Sequence, residues 1–386
     1  MLLVPRLLHI VLNLGRAVDR RSTALPSLST FLGVATFALF GILPAHKIAA
    51  QPAEEAYFYQ DLAYGSSAGF TPLSWLLNDA FDILQVGIQE RNIGKRRYRT
   101  DFRNVWDNLS DPLESIGSFG WKNFISHEVF PLNLDIETAQ WAPNYLLHVV
   151  GGGVSYRTLH EYYSKHGVKR AGWATLGTIA LERLINEMNE NNGRTGVNVD
   201  AIADVYIFDT ASILLFQSKR IQRFWGQTMH AAVWGKQPSL LISNGELHNV
   251  GQNYVLKWGP SSWERTTLFY HFGMGGLLGV SLTSMKGLTY SVGAGFKTSK
   301  LREVDPKAAV YTIEPAPALG FFIDRNNSLL ASLQLSDAFD TISEINIYPG
   351  VLPLPNTGLW VSATRRGEIN LGITVKWGIG AGIKAY

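Results

Sequence analysis

From Ile369 to Gly380 every second residue is apolar: Ile369, Leu371, Ile373, Val375, Trp377 and Ile379 alternate with Asn370, Gly372, Thr374, Lys376, Gly378 and Gly380. A period of two places one set on each face of a β-strand and cannot keep an apolar stripe on a helix. Leu288, Tyr290, Val292, Ala294 and Phe296 repeat the pattern against Thr289, Ser291, Gly293, Gly295 and Lys297. Weaker runs occur at about 247–258, 264–273, 275–284, 308–314, 317–324, 328–335, 342–349 and 357–364. Turn-rich links such as Asp324-Arg325-Asn326-Asn327 and Arg365-Arg366-Gly367 separate them. Residues 229–386 therefore predict an antiparallel sheet.

Alternating strands suit either a soluble sandwich or barrel with its polar face in water, or a membrane barrel with its apolar face in lipid. The polar set bears on the choice. It consists mostly of Gly, Ser, Thr and Asn, where a solvated face would carry Lys and Glu. Across the chain only 17% of residues are charged, against about 25% in ordinary soluble proteins, while 46% are hydrophobic. The last run is about as long as a tilted strand needs to cross a bilayer. Tyr254, Trp258, Trp263 and Trp360 fall near predicted strand ends, where interfacial girdles lie. Residues 229–386, closing on Tyr386 just after the best strand, resemble bacterial outer-membrane β-barrels, which end in a membrane-crossing strand with a terminal aromatic. Gly382 and Lys384 depart from that pattern, which prefers apolar residues there. The expected fold class is α+β, a helical domain (51–228), periplasmic or plugging the barrel, followed by an antiparallel transmembrane barrel of about ten strands, roughly eight to twelve. With so few strands the lumen should be filled by side chains or a plug.

Residues 31–43 form an apolar run too short to span a bilayer as a helix. Arg16, Arg20 and Arg21 precede it, and Pro44 and Ile48-Ala49-Ala50 follow, so 1–50 reads as a signal or leader peptide cleaved after Ala50, with a retained anchor as the alternative. The chain has no cysteine, which removes disulfides, thiolate metal sites and cysteine nucleophiles. A net charge of +3, with one tight basic run at Lys95-Arg96-Arg97-Tyr98-Arg99, does not suit a nucleic-acid partner. That run reads as a solvated loop, or as a patch for phosphate or lipid headgroups.

Between the leader and the strands the period is 3.6. Thr71-Pro72 opens a helix over about 72–89 with Leu73, Leu76, Leu77, Phe81 and Leu84 on one stripe. Thr100 and Asp101 cap a second, with Phe102, Val105, Trp106 and Leu109 expected in the core, ending at Asp111-Pro112. Residues 117–142 read as irregular, with a short helix near 121–128. Three more helices, at about 143–164, 171–190 and 198–217, each carry a polar line: Asn144, His148, Ser155 and Tyr162; Thr175, Thr178, Glu182, Asn186 and Asn189; Asp200, Asp204, Asp209 and Ser212. Gly151-Gly152-Gly153 sits inside the first of them at about 1 kcal/mol per glycine relative to alanine, which predicts a close approach or a bend.

Three apolar helices with polar lines predict that the lines meet. Buried carboxylates need partners, and His148, Glu182, Asp200 and Asp204 can partner one another, with Arg183 or Arg157 adding positive charge. Such a group is either a satisfied network fixing helix register or a site, in which His148 and the acids act as general base or hold a divalent metal. No metal-ligand signature and no cofactor motif is evident, and Glu187 and Glu190 read as solvated. Asn144-Tyr145-x-x-His148, Glu182 with Asn186-Glu187, and Asp200 with Asp204 resemble an uncharacterised bacterial outer-membrane family with a helical segment before a barrel. That resemblance implies placement in the outer membrane after export, with outer-membrane lipid and the barrel assembly machinery as partners, and it leaves the chemistry open. The expected role is structural, narrow-channel or envelope maintenance. The alternative is a membrane-embedded hydrolase or transferase acting on lipid or another envelope substrate through the His/Glu/Asp cluster.

Overall fold

The computed structural model describes residues 58–86, 90–131, 142–305, 310–338, 341–376 and 378–385. The leader with its cleavage point, Trp377 and Tyr386 lie outside the described residues. The architecture is α+β, helices followed by one large, mostly antiparallel sheet of thirteen strands.

Its first strands are short: β1 (Ala232–Val233), β2 (Ser239–Leu241), β3 (Leu247–His248) and β4 (Tyr254–Trp258). Then come β5 (Thr266–Gly273), β6 (Gly275–Thr283), β7 (Leu288–Asp305), β8 (Val310–Arg325) and β9 (Ser328–Ser336). The last are β10 (Ser343–Ile347), β11 (Thr357–Ala363), β12 (Ile369–Val375) and β13 (Gly380–Ala385). From β4 to β13 each strand pairs antiparallel with the next, β1 pairs with β4, and β2 pairs with β3 and, in parallel, with β13. The count exceeds the expected ten because 232–248 is built from pieces of two or three residues, too short to show a period. Between β1 and β2, backbone bonds from Trp234 to Asn253 and from Lys236 to Gly251 continue the same pairing.

Burial along these strands is the reverse of that in a water-soluble sheet. On β12, Asn370 and Thr374 are buried at 2% and 6% exposure, while Ile369, Leu371, Ile373 and Val375 are exposed at 37–51%. Leu268, Leu282, Tyr290, Leu319, Phe321, Leu335, Ile345, Val361 and Ile383 are exposed on the other strands. The opposite face is crowded. Lys236 Nζ donates to Glu344 Oε2 at 2.8 Å, Lys257 pairs with Asp324, and Gln237 binds Asn346 and accepts from Thr374 Oγ1 at 2.6 Å. Trp234, Phe269, Leu277 and Phe322 form an apolar cluster on the same face as these pairs.

The helices that position the site are α1 (Pro72–Ala80), α2 (Tyr98–Ser110), α3 (Gly152–Lys165), α4 (Ala171–Asn191) and α5 (Thr210–Leu215). Alpha-1 starts with a capping box, Thr71 Oγ1 accepting from Ser74 N and Ser74 Oγ from Thr71 N. It ends at Ala80, short of the expected 89, and a 3-10 turn (Asp82–Gln85) follows. Two π-wound stretches lead into helices, Ala142–Gly151 before α3 and Ala203–Asp209 before α5. Helix α2 overturns one expectation. Phe102 and Trp106 are exposed, and the buried face is Asp101, Asn104, Val105 and Asn108. The reason is the loop after α4: Asp101 accepts from Gly193 N, Asn104 from Gly196 N and Asn108 from Asn198 N, so the polar side chains replace backbone partners that a buried loop needs. In the basic run, Arg96 donates to the carbonyls of Glu90 and Asn189, while Lys95, Arg97 and Arg99 are exposed.

Helices and strands belong to one compact unit. They meet on the sheet face that carries the apolar residues. Leu247 of β3 packs with Ala80, Phe81 and Leu84, and Tyr254 of β4 lies against Gly151 and hydrogen-bonds Ser155 at 2.8 Å. The triple glycine is explained by two such approaches. A Cβ on Gly151 would meet the Tyr254 ring at 2.6 Å, and a Cβ on Gly153 would meet the Phe216 ring inside its contact distance. Gly153→Ala is expected to destabilise by about 1–3 kcal/mol through overpacking, whereas Gly177→Ala, with open space around it, should stabilise α4 by about 0.5–1 kcal/mol. Denaturant midpoints of the two variants, moving in opposite directions, check this.

Candidate functional site: a buried histidine and carboxylate cluster

The polar lines of the three helices converge on Arg183 and His148. His148, on the π-wound stretch before α3, has Nε2 3.3 Å from Asp204 Oδ2 and Nδ1 3.4 Å from Asp209 Oδ1. Asp209 Oδ2 is 2.8 Å from Arg183 Nε, which in turn lies 3.4 Å from Glu182 Oε2. The Arg183 guanidinium also reaches Asp79 of α1 at 4.0 Å. Each π-wound stretch carries members of the group, and such widened turns recur where a helix must aim side chains at a site. Both imidazole nitrogens face carboxylates, so the three groups together must hold two protons if both contacts are hydrogen bonds.

Of the residues singled out by spacing, His148, Glu182 and Asp204 meet directly or through Arg183 and Asp209. Asp200 sits half-buried at the edge and acts through its charge on His148, Glu128 and Asp204. Arg157 is elsewhere, paired with Glu161 at 3.4 Å. Glu187 is 1% exposed and not solvated. Asp79, Asp82 and Glu128 were not singled out from the sequence. Their signal was present for Asp79, since Asn78-Asp79 interrupts the apolar end of α1, but its inward face is defined only by α4. Asn186 and Asn189 of α4 donate to the carbonyls of Asp79 and Ala80 and lock the two helices in register.

Acids outnumber cations, and burial sets their titration. It is the largest influence on Asp204, holding its carboxyl well above the ordinary carboxylate range, with neighbouring acids adding. Glu128 is pushed up to about 8 by burial, then by the Asp200 charge. Folded acids of this kind hold protons that the unfolded chain releases near pH 4. Stability is therefore fully present below the unfolded pKa and is lost as pH rises through the folded pKa. For Glu128 that window runs from about 4.5 to about 8. The helical part is expected to melt at a higher temperature at pH 5 than at pH 8, by circular dichroism of the purified chain. A higher melting temperature at pH 8 would contradict the protonated core.

The arrangement can store protons and pass one between His148 and either aspartate, as a general acid or base requires. Among the described residues no group of three His, Asp or Glu is placed to hold a metal ion. A cavity between Phe58, Phe70, Thr158 and Asn327 includes none of the cluster's residues. No family model, curated protein or solved structure matches the chain.

Proposed function

We propose that the chain is an integral outer-membrane protein whose strands close into a lipid-embedded barrel, with a structural or envelope-maintenance role and no wide pore. The observation that carries this is the inverted burial of the strands, Ile373 at 51% exposure between Gly372 and Thr374, which are buried. In water such a face would be an aggregation surface, whereas in a bilayer it is the required one. Closure is supported by pairing. Merging β1 with β2 and β3 with β4 into continuous staves turns thirteen strands into eleven, and β2 joins the last strand to the first stave. An odd number of alternating strands closes with one parallel pair, the arrangement of β2 and β13. The interior pairs Lys236 with Glu344 and Lys257 with Asp324 favour a filled lumen over a diffusion path. Export by the leader and insertion by the barrel assembly machinery belong to the same reading. Its test is cell fractionation with and without heating. Outer-membrane recovery and heat-modifiable gel migration are expected, and recovery of the mature chain in the soluble fraction would overturn it.

A second reading rests on the contact of His148 with two carboxylates: a membrane-embedded hydrolase or transferase acting on lipid or another envelope substrate. His148→Gln, which keeps a hydrogen-bonding side chain beside Asp204 and Asp209, should then abolish turnover of that substrate. Unchanged envelope composition between wild type and variant, in lipids and in the other envelope components, would dismiss it.

A further inference from the structure

We propose that α4 lies in the lipid beside the strands, with its outer face in one leaflet, rather than in water beyond them or inside the lumen. The inference rests on the membrane reading of the strands.

Position is the first support. Ile373 pairs with Ala381, Ala381 with Leu240, and Leu240 with Leu247. Paired residues share a face, so Leu247, covered by the α1 region, lies on the same side of the sheet as the exposed Ile373. By the same register Tyr254, covered from Gly151 and Ser155, shares a face with Leu268, which is exposed. The helices thus occupy part of the face that elsewhere meets lipid.

The faces of the helices are the second. Helix α4 turns Thr175, Glu182, Asn186 and Glu187 inward, and Trp173, Leu176, Ala180 and Leu181 outward. Trp173 is 74% exposed. Helix α5 does the same with Leu214 and Leu215, whereas α2 exposes Phe102 and Trp106, whose rings stack at 5.9 Å, beside the charged Arg103 and Asp107. An amphipathic helix in water buries its apolar stripe, and α4 buries its polar one, as the strands do.

The third is the order of residues along α4. Exposed Lys169 and Arg170 precede it, Trp173 follows, and apolar residues continue from Leu176. Cation, tryptophan, then apolar is the order met in passing from phosphate headgroups through the interface to hydrocarbon. From Trp173 to Leu184 the helix rises about 17 Å at 1.5 Å per residue, close to the ~15 Å hydrocarbon depth of one leaflet. A second copy or another protein covering the face would need no such order.

Because the chain lacks cysteine, single-cysteine nitroxide labels can test this in the full chain, reconstituted in vesicles of phosphatidylethanolamine and phosphatidylglycerol. Leu176→Cys and Leu181→Cys report on α4, Lys169→Cys on its headgroup end, and Ile373→Cys on the strands. Collisions with oxygen and loss of collisions with a nickel chelate are expected at 176, 181 and 373, with nickel access retained at 169. Nickel access at 176 and 181, with 373 still in lipid, would place α4 in water and overturn the inference while leaving the barrel reading intact. Immobile labels at 176 and 181 reached by neither reagent would mean a protein cover, whether a second copy, another chain or the leader, and would overturn it too. Nickel access at 373 would sink the membrane reading itself.

Discussion

Replacing Arg183 by leucine is expected to cost the helical part about 3–5 kcal/mol at pH 8, the usual penalty for removing one partner from a buried ionic group. Arg183 is only 7% exposed, and its guanidinium lies within 4.0 Å of Asp79, Glu182 and Asp209. Without it, Asp209 retains His148, while Glu182 and Asp79 lose their cation. The chain can answer by protonating these acids, so the penalty should shrink at pH 5. Denaturant unfolding of the helical signal at both pH values, with Glu182→Gln added to Arg183→Leu, separates charge from packing. Partial recovery in the double variant is expected because one uncompensated carboxylate has been neutralised. A loss below about 1 kcal/mol at pH 8, the range of surface pairs, would mean that water reaches the cluster and that it is not a low-dielectric core.

Ile373→Arg should destabilise the strand part by about 2–4 kcal/mol in lipid, the cost of a lipid-facing arginine near mid-bilayer. The same substitution at an exposed position of a soluble sheet falls within about ±0.5 kcal/mol and would raise solubility. The two environments therefore predict different magnitudes for one variant. Urea unfolding in vesicles reads the difference, and a neutral Ile373→Arg would count against lipid on that face. Asn370 and Thr374, buried at 2% and 6% exposure, mark the opposite face, where a bulky apolar replacement should instead disturb the Gln237 and Trp360 packing.

How far the fold was legible follows from which patterns are local. The alternation at 288–297 specified a strand because a period of two has one structural solution, and β7 lies there, but the run at 369–380 does not form the single long last strand it predicts: β12 ends after seven residues at Val375, Gly378 turns the chain with a positive φ, and Gly380 opens β13, antiparallel to β12. The polar lines of α3, α4 and the segment 200–212 were legible because steps of three and four keep residues on one helical face. That they meet, with His148 3.3 Å from Asp204, follows from the high cost of leaving buried acids without partners. The short strands β1–β3 were not legible as separate pieces, since two or three residues carry no period.

Orientation was the part that local patterns left open. Phe102, Val105, Trp106 and Leu109 form a genuine stripe, yet Phe102 and Trp106 face outward. A stripe shows that a helix has two faces, and the medium decides which one is buried. Asp101, Asn104 and Asn108 turned inward because the 191–198 loop needed their hydrogen bonds. Arg183 became the centre of the acidic group, and Arg157 did not, because α1 and the π-wound stretches deliver carboxylates to one and leave the other beside Glu161.

The sequence by itself therefore determined element types, the approximate span of helices and sheet, and the residues that had to be partnered if buried, since propensity, period and the cost of burying charge act locally. Only the tertiary structure decided which face of each element is inside, that the helices cover Leu247 and Tyr254 on the sheet's apolar face, and that Arg183 sits among the acids. The contacts between helices and sheet join residues about a hundred or more positions apart, such as Ser155 with Tyr254 and Asn78 with Gly251, and no local pattern encodes them.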